Sequence, residues 1–381
     1  MNLPFERIIT RRSFLKKCGI LTLGSTLIPR LVKCAEAPRP TAGFIKPHRA
    51  RFFEKLNSDK VRCLLCPHKC VVAKGERGFC RVRENRGGEY YTLVHSNPCA
   101  VHIDPIEKKP LFHFHPGTGA FSIATAGCNF TCKNCQNWDI SQAKPDDTIN
   151  YDMAPEKIVD LAIAYNTKTI AYTYTEPTVF FEYMLETAKN AHRRGVLNVY
   201  HSNGYINQEP LAELIPYLDG ANVDLKAHSN EFYKEITSGT LYPVLETLKT
   251  LKQNGVWLEI TNLVIPTKND SERAVQDLCV YIESELGADT PIHFSRFYPQ
   301  YKLHNLPPTP IETLQRAAAI ARACGIHYVY IGNVPGIPEE NTYCPNCHKL
   351  LIERQGYSVD LVNLKDGTCL FCGTAIAGRW K

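Results

Sequence analysis

Cys128-Asn-Phe-Thr-Cys132-Lys-Asn-Cys135 places three thiols within eight residues, directly after the apolar run Ala120-Phe-Ser-Ile-Ala-Thr-Ala126 and Gly127. A short apolar run closed by a turn signal reads as a buried strand. The glycine lets the chain turn sharply at its end. The three cysteines are therefore expected on a loop at the C-terminal edge of a strand, where α/β folds keep their ligands. Three is the informative count. A [4Fe–4S] cluster normally takes four cysteines, so three leave one iron open to a substrate or cofactor, as an open ligand position separates catalytic from structural zinc. The alternative is a zinc loop, or part of a larger metal knot.

Cys-x3-Cys-x2-Cys after a first strand resembles the radical S-adenosylmethionine (SAM) superfamily. The wider context, Gly127-Cys-Asn-Phe-Thr-Cys-Lys-Asn-Cys-Gln-Asn137, is similar to relatives of the pyruvate formate-lyase activating enzyme. Within those it resembles the AmmeMemoRadiSam-system radical SAM proteins. Most of the superfamily carries an aromatic residue before the third cysteine, where this chain has Asn134; the Asn-Cys-Gln-Asn form belongs with that subgroup. The resemblance implies a [4Fe–4S] cluster on Cys128, Cys132 and Cys135, with SAM chelated by its amino and carboxylate groups to the open iron. One electron then cleaves SAM to methionine and a 5′-deoxyadenosyl radical, which abstracts hydrogen from a substrate the sequence does not name. It also implies an electron donor such as flavodoxin or ferredoxin, and partner proteins of the AmmeMemoRadiSam system. Activation of a glycyl-radical enzyme is the narrower alternative.

The 381 residues suffice for a large catalytic domain with one or two small modules. Net charge is +6, but residues 1–37 hold seven Lys and Arg against two Asp and Glu, so the remainder is near neutral. That argues against a nucleic-acid surface. Thr10-Arg11-Arg12-Ser13-Phe14-Leu15-Lys16 resembles the twin-arginine export motif. A modest apolar run and Ala35-Glu-Ala37 follow, which fits a cleaved leader and is too short for a stable membrane span. Export to the periplasm is thus expected, with cytoplasmic function as the alternative.

The sixteen cysteines are too sparse for a disulfide scaffold, and most stand in tight metal-type spacings. Cys63, Cys66, Cys70 and Cys80 form a Cys-x2-Cys-x3-Cys-x9-Cys set, read as a Zn2+ site pinning a small module or as an auxiliary iron–sulfur site. Cys344, Cys347, Cys369 and Cys372 make two Cys-x2-Cys knuckles, read as a zinc ribbon, with a rubredoxin-like iron site as the alternative. Between these sets the pattern alternates. Apolar stretches near 121–126, 169–174, 197–201, 221–225, 256–263, 291–297 and 327–332 read as strands. Helical periodicity is clearest at 155–166, 179–194, 243–254, 271–286 and 311–323. Alternation of this kind implies an α/β fold with a parallel sheet. The resemblance specifies a partial (β/α)6 TIM-like radical SAM barrel with small Cys-rich metal modules at both ends. The expected organisation is a signal segment over 1–37, an N-terminal Cys-rich module and bridge over 38–115, the barrel over 116–336 and a zinc-ribbon-like module over 337–381. In the bridge, His113 and His115 alternate with Phe112 and Phe114, which suggests a strand with both histidines on one face.

Candidate cofactor residues come from the expected strand ends. Glu176, in Thr173-Tyr-Thr-Glu-Pro177, can accept a hydrogen bond from the SAM ammonium. Asn203, in His201-Ser-Asn-Gly-Tyr205, offers a small polar side chain beside a glycine. Asp224 and Lys226 share one strand face, and such a pair inside a barrel needs a ligand or each other. The resemblance implies that Asp224, Lys226 and His293 contact SAM. Arg296 is a candidate for a substrate carboxylate or phosphate, and Tyr298 and Tyr301 for a lid. The competing reading is a non-catalytic zinc scaffold with three cysteine sites; it leaves Glu176, Asp224 and Lys226 unexplained. An exported electron-transfer protein would explain the leader but not the open three-cysteine site.

Overall fold

Apolar runs and amphipathic stretches alternate six times after residue 118, and each pair becomes one strand–helix unit. The computed structural model describes residues 40–380; the signal segment expected over 1–37 lies outside them. Seven strands run parallel in chain order: β2 (Gly119–Ala124), β3 (Thr169–Tyr172), β4 (Leu197–Ser202), β5 (Gly220–Asp224), β6 (Trp257–Val264), β7 (Ile292–Arg296) and β8 (Val329–Gly332). An antiparallel edge strand, β1 (Ala100–Pro105), pairs with β2. The helices between are α1 (Pro155–Ala164), α2 (Phe181–Arg193), α3 (Gln208–Leu214), α4 (Tyr242–Gln253), α5 (Glu272–Tyr281) and α6 (Ile311–Ala323). Six strand–helix units and a seventh strand make the expected partial barrel. β1 and β8 end the sheet without pairing to each other.

The residues explain the layers. All four residues of β3 are buried, as are five of the six in β2, because helices cover one face and the barrel interior the other. α6 buries Leu314, Ala317, Ala318 and Ala321, a stripe at helical spacing. α1 opens with Pro155, tolerated there because the first turn has no intrahelical acceptor for its missing N–H.

The structure departs from the sequence reading in three places. Residues 112–115 form no strand: Phe114 makes a single bridge to Arg379, and His115 has a φ of 44°. The reason is that the Phe112 and His113 N–H groups donate to the buried Glu259 carboxylate at 3.0 and 2.8 Å, leaving no ladder to form. The strand expected over 169–174 stops at Tyr172, and Tyr174 turns left-handed (φ 64°). The polar β1 and the short α3 had no periodic signal long enough to read.

Short antiparallel strands flank the barrel at both ends of the described chain, and the described residues form one unit. On the N-terminal side the fully buried pair Arg83–Glu182 joins the Cys-rich segment to α2. On the C-terminal side Arg354, 4% exposed, donates to the Phe112 carbonyl and lies over its ring. Among the described residues no helix is long and apolar enough to cross a membrane.

Candidate functional site

Gly127 ends the β2 run with a φ of 93°, and a Cβ there would lie 2.4 Å from Val82 and 2.7 Å from the Cys80 carbonyl oxygen. So this position needs glycine for its backbone angle and for close approach. The loop beyond carries the three cysteines and is tied on every side. Asn129 donates to the Tyr205 carbonyl (2.7 Å), and His68 Nε2 donates to the Asn129 carbonyl (2.7 Å). The Thr131 and Lys133 N–H groups bond to Thr237 and Ile236. The Phe130 ring fills the space that Gly239 leaves open.

Burial pushes all three thiols up, Cys132 to about 12. They cannot stand as bare thiolates near neutral pH, and a bound cationic group is what would deprotonate them. Their spacing bears on its size. Among the described residues, two groups bring three or more metal-capable atoms within 4.8 Å of one another. One is Cys344, Cys347, Cys369 and Cys372; the other is His48, His95 and Glu186. Cys128, Cys132 and Cys135 stand wider apart than that. They are therefore not a tight single-ion set like the C-terminal four.

Four of the five predicted cofactor residues surround this loop. Asn203 Nδ2 donates to Asn129 and lies 3.9 Å from Cys128 Sγ. Glu176 is buried, and its two oxygens accept from Thr178 (N–H and hydroxyl), Ser202 Oγ and Asn203 N. Its carboxylate thus fastens the end of β3 to the end of β4. Asp224 accepts from Lys226 Nζ at 2.8 Å and from His201 Nε2 at 2.9 Å. Burial pushes Asp224 up, but Lys226 and His201 outweigh it and hold the carboxyl below its ordinary range. The Lys226 charge reaches Cys132 and Cys135 and favours their thiolates. This trio is partly exposed at the strand ends, so it can face a ligand. The sequence reading had passed over His201 as an individual site residue.

The fifth, His293, has different neighbours. Its Nε2 bonds to Glu259 at 2.7 Å, and its ring meets Phe112 and Tyr330 in a buried layer closed by the 110–115 segment. Glu259 there accepts from Phe112, His113, Trp257 and His293. The structure does not bring His293 to the Asp224 trio.

A second charged group escaped the sequence reading. Lys109, 1% exposed, donates to Asp104 at 2.6 Å, as do Lys108 at 2.9 Å and the Tyr174 hydroxyl. Burial pushes Lys109 down to about 8 despite Asp104. Asp104 is held low even though burial pushes it up, because three donors serve one carboxylate. The left-handed turn at Tyr174 aims its ring inward to cover this pair. Near the cysteine loop, Tyr301 stacks on Trp138, and the Lys302 and Leu303 N–H groups donate to the Lys133 carbonyl. The expected lid thus packs against the cysteine loop. Arg296 is tied to the Thr309 carbonyl and the Tyr298 hydroxyl.

The C-terminal thiols come together as the knuckle spacing predicted. Cys344 and Cys372 Sγ are 3.6 Å apart, Cys347 and Cys369 Sγ 3.7 Å. A tetrahedral ion with bonds of about 2.3 Å holds thiolates roughly 3.8 Å apart. The His48 and His95 rings stack at 4.0 Å with planes 9° apart. Glu186 lies against both, 3.0 Å from His95 Nε2 and 3.6 Å from His48 Nε2.

A model of the radical SAM superfamily matches residues 122–279, from inside β2 into α5. The Methanocaldococcus jannaschii protein MJ0808 is 50% identical over 329 residues, 86% of this chain and 98% of that protein. The 4-hydroxyphenylacetate decarboxylase activating enzyme of Clostridium scatologenes is 21% identical over 163 residues, 40% of this chain and 52% of that one. Among solved structures, a domain of a pyruvate-formate lyase-activating enzyme from Bacteroides vulgatus matches 43% of this chain and 98% of its own, with a TM-score of 0.39 and 14% identity.

Proposed function

The chain belongs to the radical SAM superfamily, and on that footing we propose that Cys128, Cys132 and Cys135 hold a [4Fe–4S] cluster at which SAM is reductively cleaved. When bound, the cluster and SAM supply a 5′-deoxyadenosyl radical for hydrogen abstraction. The chain's own residues bind and orient. Asp224 at the C-terminal end of β5 and Lys226 just past it would hold SAM, Asn203 holds the Cys128 side of the loop, and Glu176 positions Asn203 without needing to touch SAM. The observation that carries this reading is the His201–Asp224–Lys226 trio, partly exposed and within electrostatic reach of Cys132. The zinc-scaffold alternative gives this trio no task.

An external one-electron donor of the flavodoxin or ferredoxin type completes the reaction. The close, four-thiol spacing at the C-terminus supports a single Zn2+ there. The substrate is either a small molecule handled with other AmmeMemoRadiSam-system proteins or a glycyl-radical enzyme. The second option draws on the relative named as a decarboxylase activating enzyme. Twin-arginine export is retained as a proposal and rests on residues 10–16 alone; substituting Arg11 and Arg12 by Lys should then hold the protein in the cytoplasm. The test of the SAM site is a binding titration on the anaerobically reconstituted full chain. Lys226→Met should weaken SAM affinity by about tenfold or more, the worth of one charge-assisted contact. Unchanged affinity would remove the trio from the SAM site.

A further inference from the structure

We propose that Cys63, Cys66, Cys70 and Cys80 hold a second [4Fe–4S] cluster, where the sequence alone left zinc and iron–sulfur open. The four thiols are neighbours. Cys63 ends the strand Val61–Cys63, its N–H bonds to the Cys70 carbonyl at 2.9 Å, and the Lys69 N–H closes a turn onto the Cys66 carbonyl at 3.1 Å. The Phe79 N–H points at Cys70 Sγ at 3.5 Å. The charges of Cys63, Cys70 and Cys80 all reach Cys66.

Spacing separates the two metals. At the C-terminus four Sγ atoms lie within 4.8 Å of one another, as one tetrahedral ion requires. Among the described residues, no three of Cys63, Cys66, Cys70 and Cys80 do so, and neither do Cys128, Cys132 and Cys135. A cubane sets a separate iron beneath each thiolate and holds the sulfurs further apart. An all-thiolate ligand set suits it.

A second observation is independent of the thiols. The Tyr90 hydroxyl is fully buried and has no hydrogen-bond partner, and the same holds for Arg83 Nε. Tyr90 OH would lie 3.0 Å from a Cβ on Gly78, the residue that leaves room beside Cys70, and its charged neighbours are Cys63, Cys80, Arg83 and Cys70. Two orphan donors beside four thiols want an acceptor. Bridging sulfides and thiolates, on which hydrogen bonds tune cluster potential, provide one. The second site also abuts the first: the Cys80 carbonyl packs on Gly127, and His68 bonds to Asn129.

This inference stands on the thiol geometry, and it extends the proposed function by placing a redox group beside the SAM cluster. The test uses the full chain, reconstituted anaerobically with iron and sulfide, with metals counted and the reduced protein examined by EPR. Two cubanes and one zinc predict about eight Fe, eight sulfide and one Zn per chain. The Cys128→Ala/Cys132→Ala/Cys135→Ala variant should keep about four Fe and a [4Fe–4S] signal, and adding Tyr90→Phe should change that signal. About four Fe with two Zn in the unaltered protein, or an iron-free triple variant, would overturn the assignment. Eight Fe without SAM cleavage would instead refute the proposed function and leave this site standing.

Discussion

At Gly127 two constraints meet in one residue. A side chain there must adopt φ near 93° and enter the space of the Val82 side chain and the Cys80 carbonyl. Left-handed strain alone costs roughly 1–3 kcal/mol, and the overlap adds to it. Gly127→Ala is therefore expected to lower stability by more than about 2 kcal/mol, read as the urea midpoint of the full chain. Glu176→Gln turns an acceptor of four donors into a partial donor, and about 1–3 kcal/mol should be lost, with SAM cleavage falling because Asn203 is no longer held. Asp224 gives a pH test. Its carboxyl is held below the ordinary value, so the trio contributes stability that is fully present above about pH 4 and is lost as pH falls through the lower folded-state value. The stability gap between the unaltered protein and Asp224→Asn should shrink on acidification below pH 4. A gap that stays constant would mean the ion trio is not formed. Gly127 and Glu176 were legible because they close strands, one as a turn glycine and the other just before Pro177, and Asp224 because Lys226 follows it two residues on. Lys109 was not. A buried lysine between Lys108 and Pro110 has no periodic signature, and its partner Asp104 lies on an edge strand too polar to read. Lys109→Met should cost about 3 kcal/mol by leaving Asp104 short of a buried partner.

Among elements, the core strands and long helices announced themselves through burial on fixed periods. The seven parallel strands fall where apolar runs were read, and so do the five helices expected from periodicity. The 110–115 segment shows what such reading misses. Alternating Phe and His looked like a strand, but a buried carboxylate on β6 captured its N–H groups. That exchange depends on a residue about 146 positions away, which no local pattern contains. The same segment couples the C-terminal thiol site to the barrel. The Arg379 N–H donates to the His113 carbonyl, the His115 N–H to Arg379, and His113 bonds to the Ala377 carbonyl. Removing the ion with Cys344→Ala/Cys347→Ala should release zinc and raise hydrogen exchange at His115. Unaltered protection at His115 would show that the module is held without its metal.

For the whole molecule, three cysteine sets surround one barrel and differ in what their spacing can hold. Two are wide and adjoin each other across Gly127 and Cys80. One is tight and lies against the 110–115 segment. The open coordination argued for Cys128, Cys132 and Cys135 is the central claim, and it has one direct assay. The reconstituted full chain is reduced anaerobically with dithionite, given SAM, and scored for 5′-deoxyadenosine beside Cys132→Ala. Deoxyadenosine from the unaltered protein and none from the variant is the expected result. Equal, absent product from both, with zinc as the metal bound, would contradict the account.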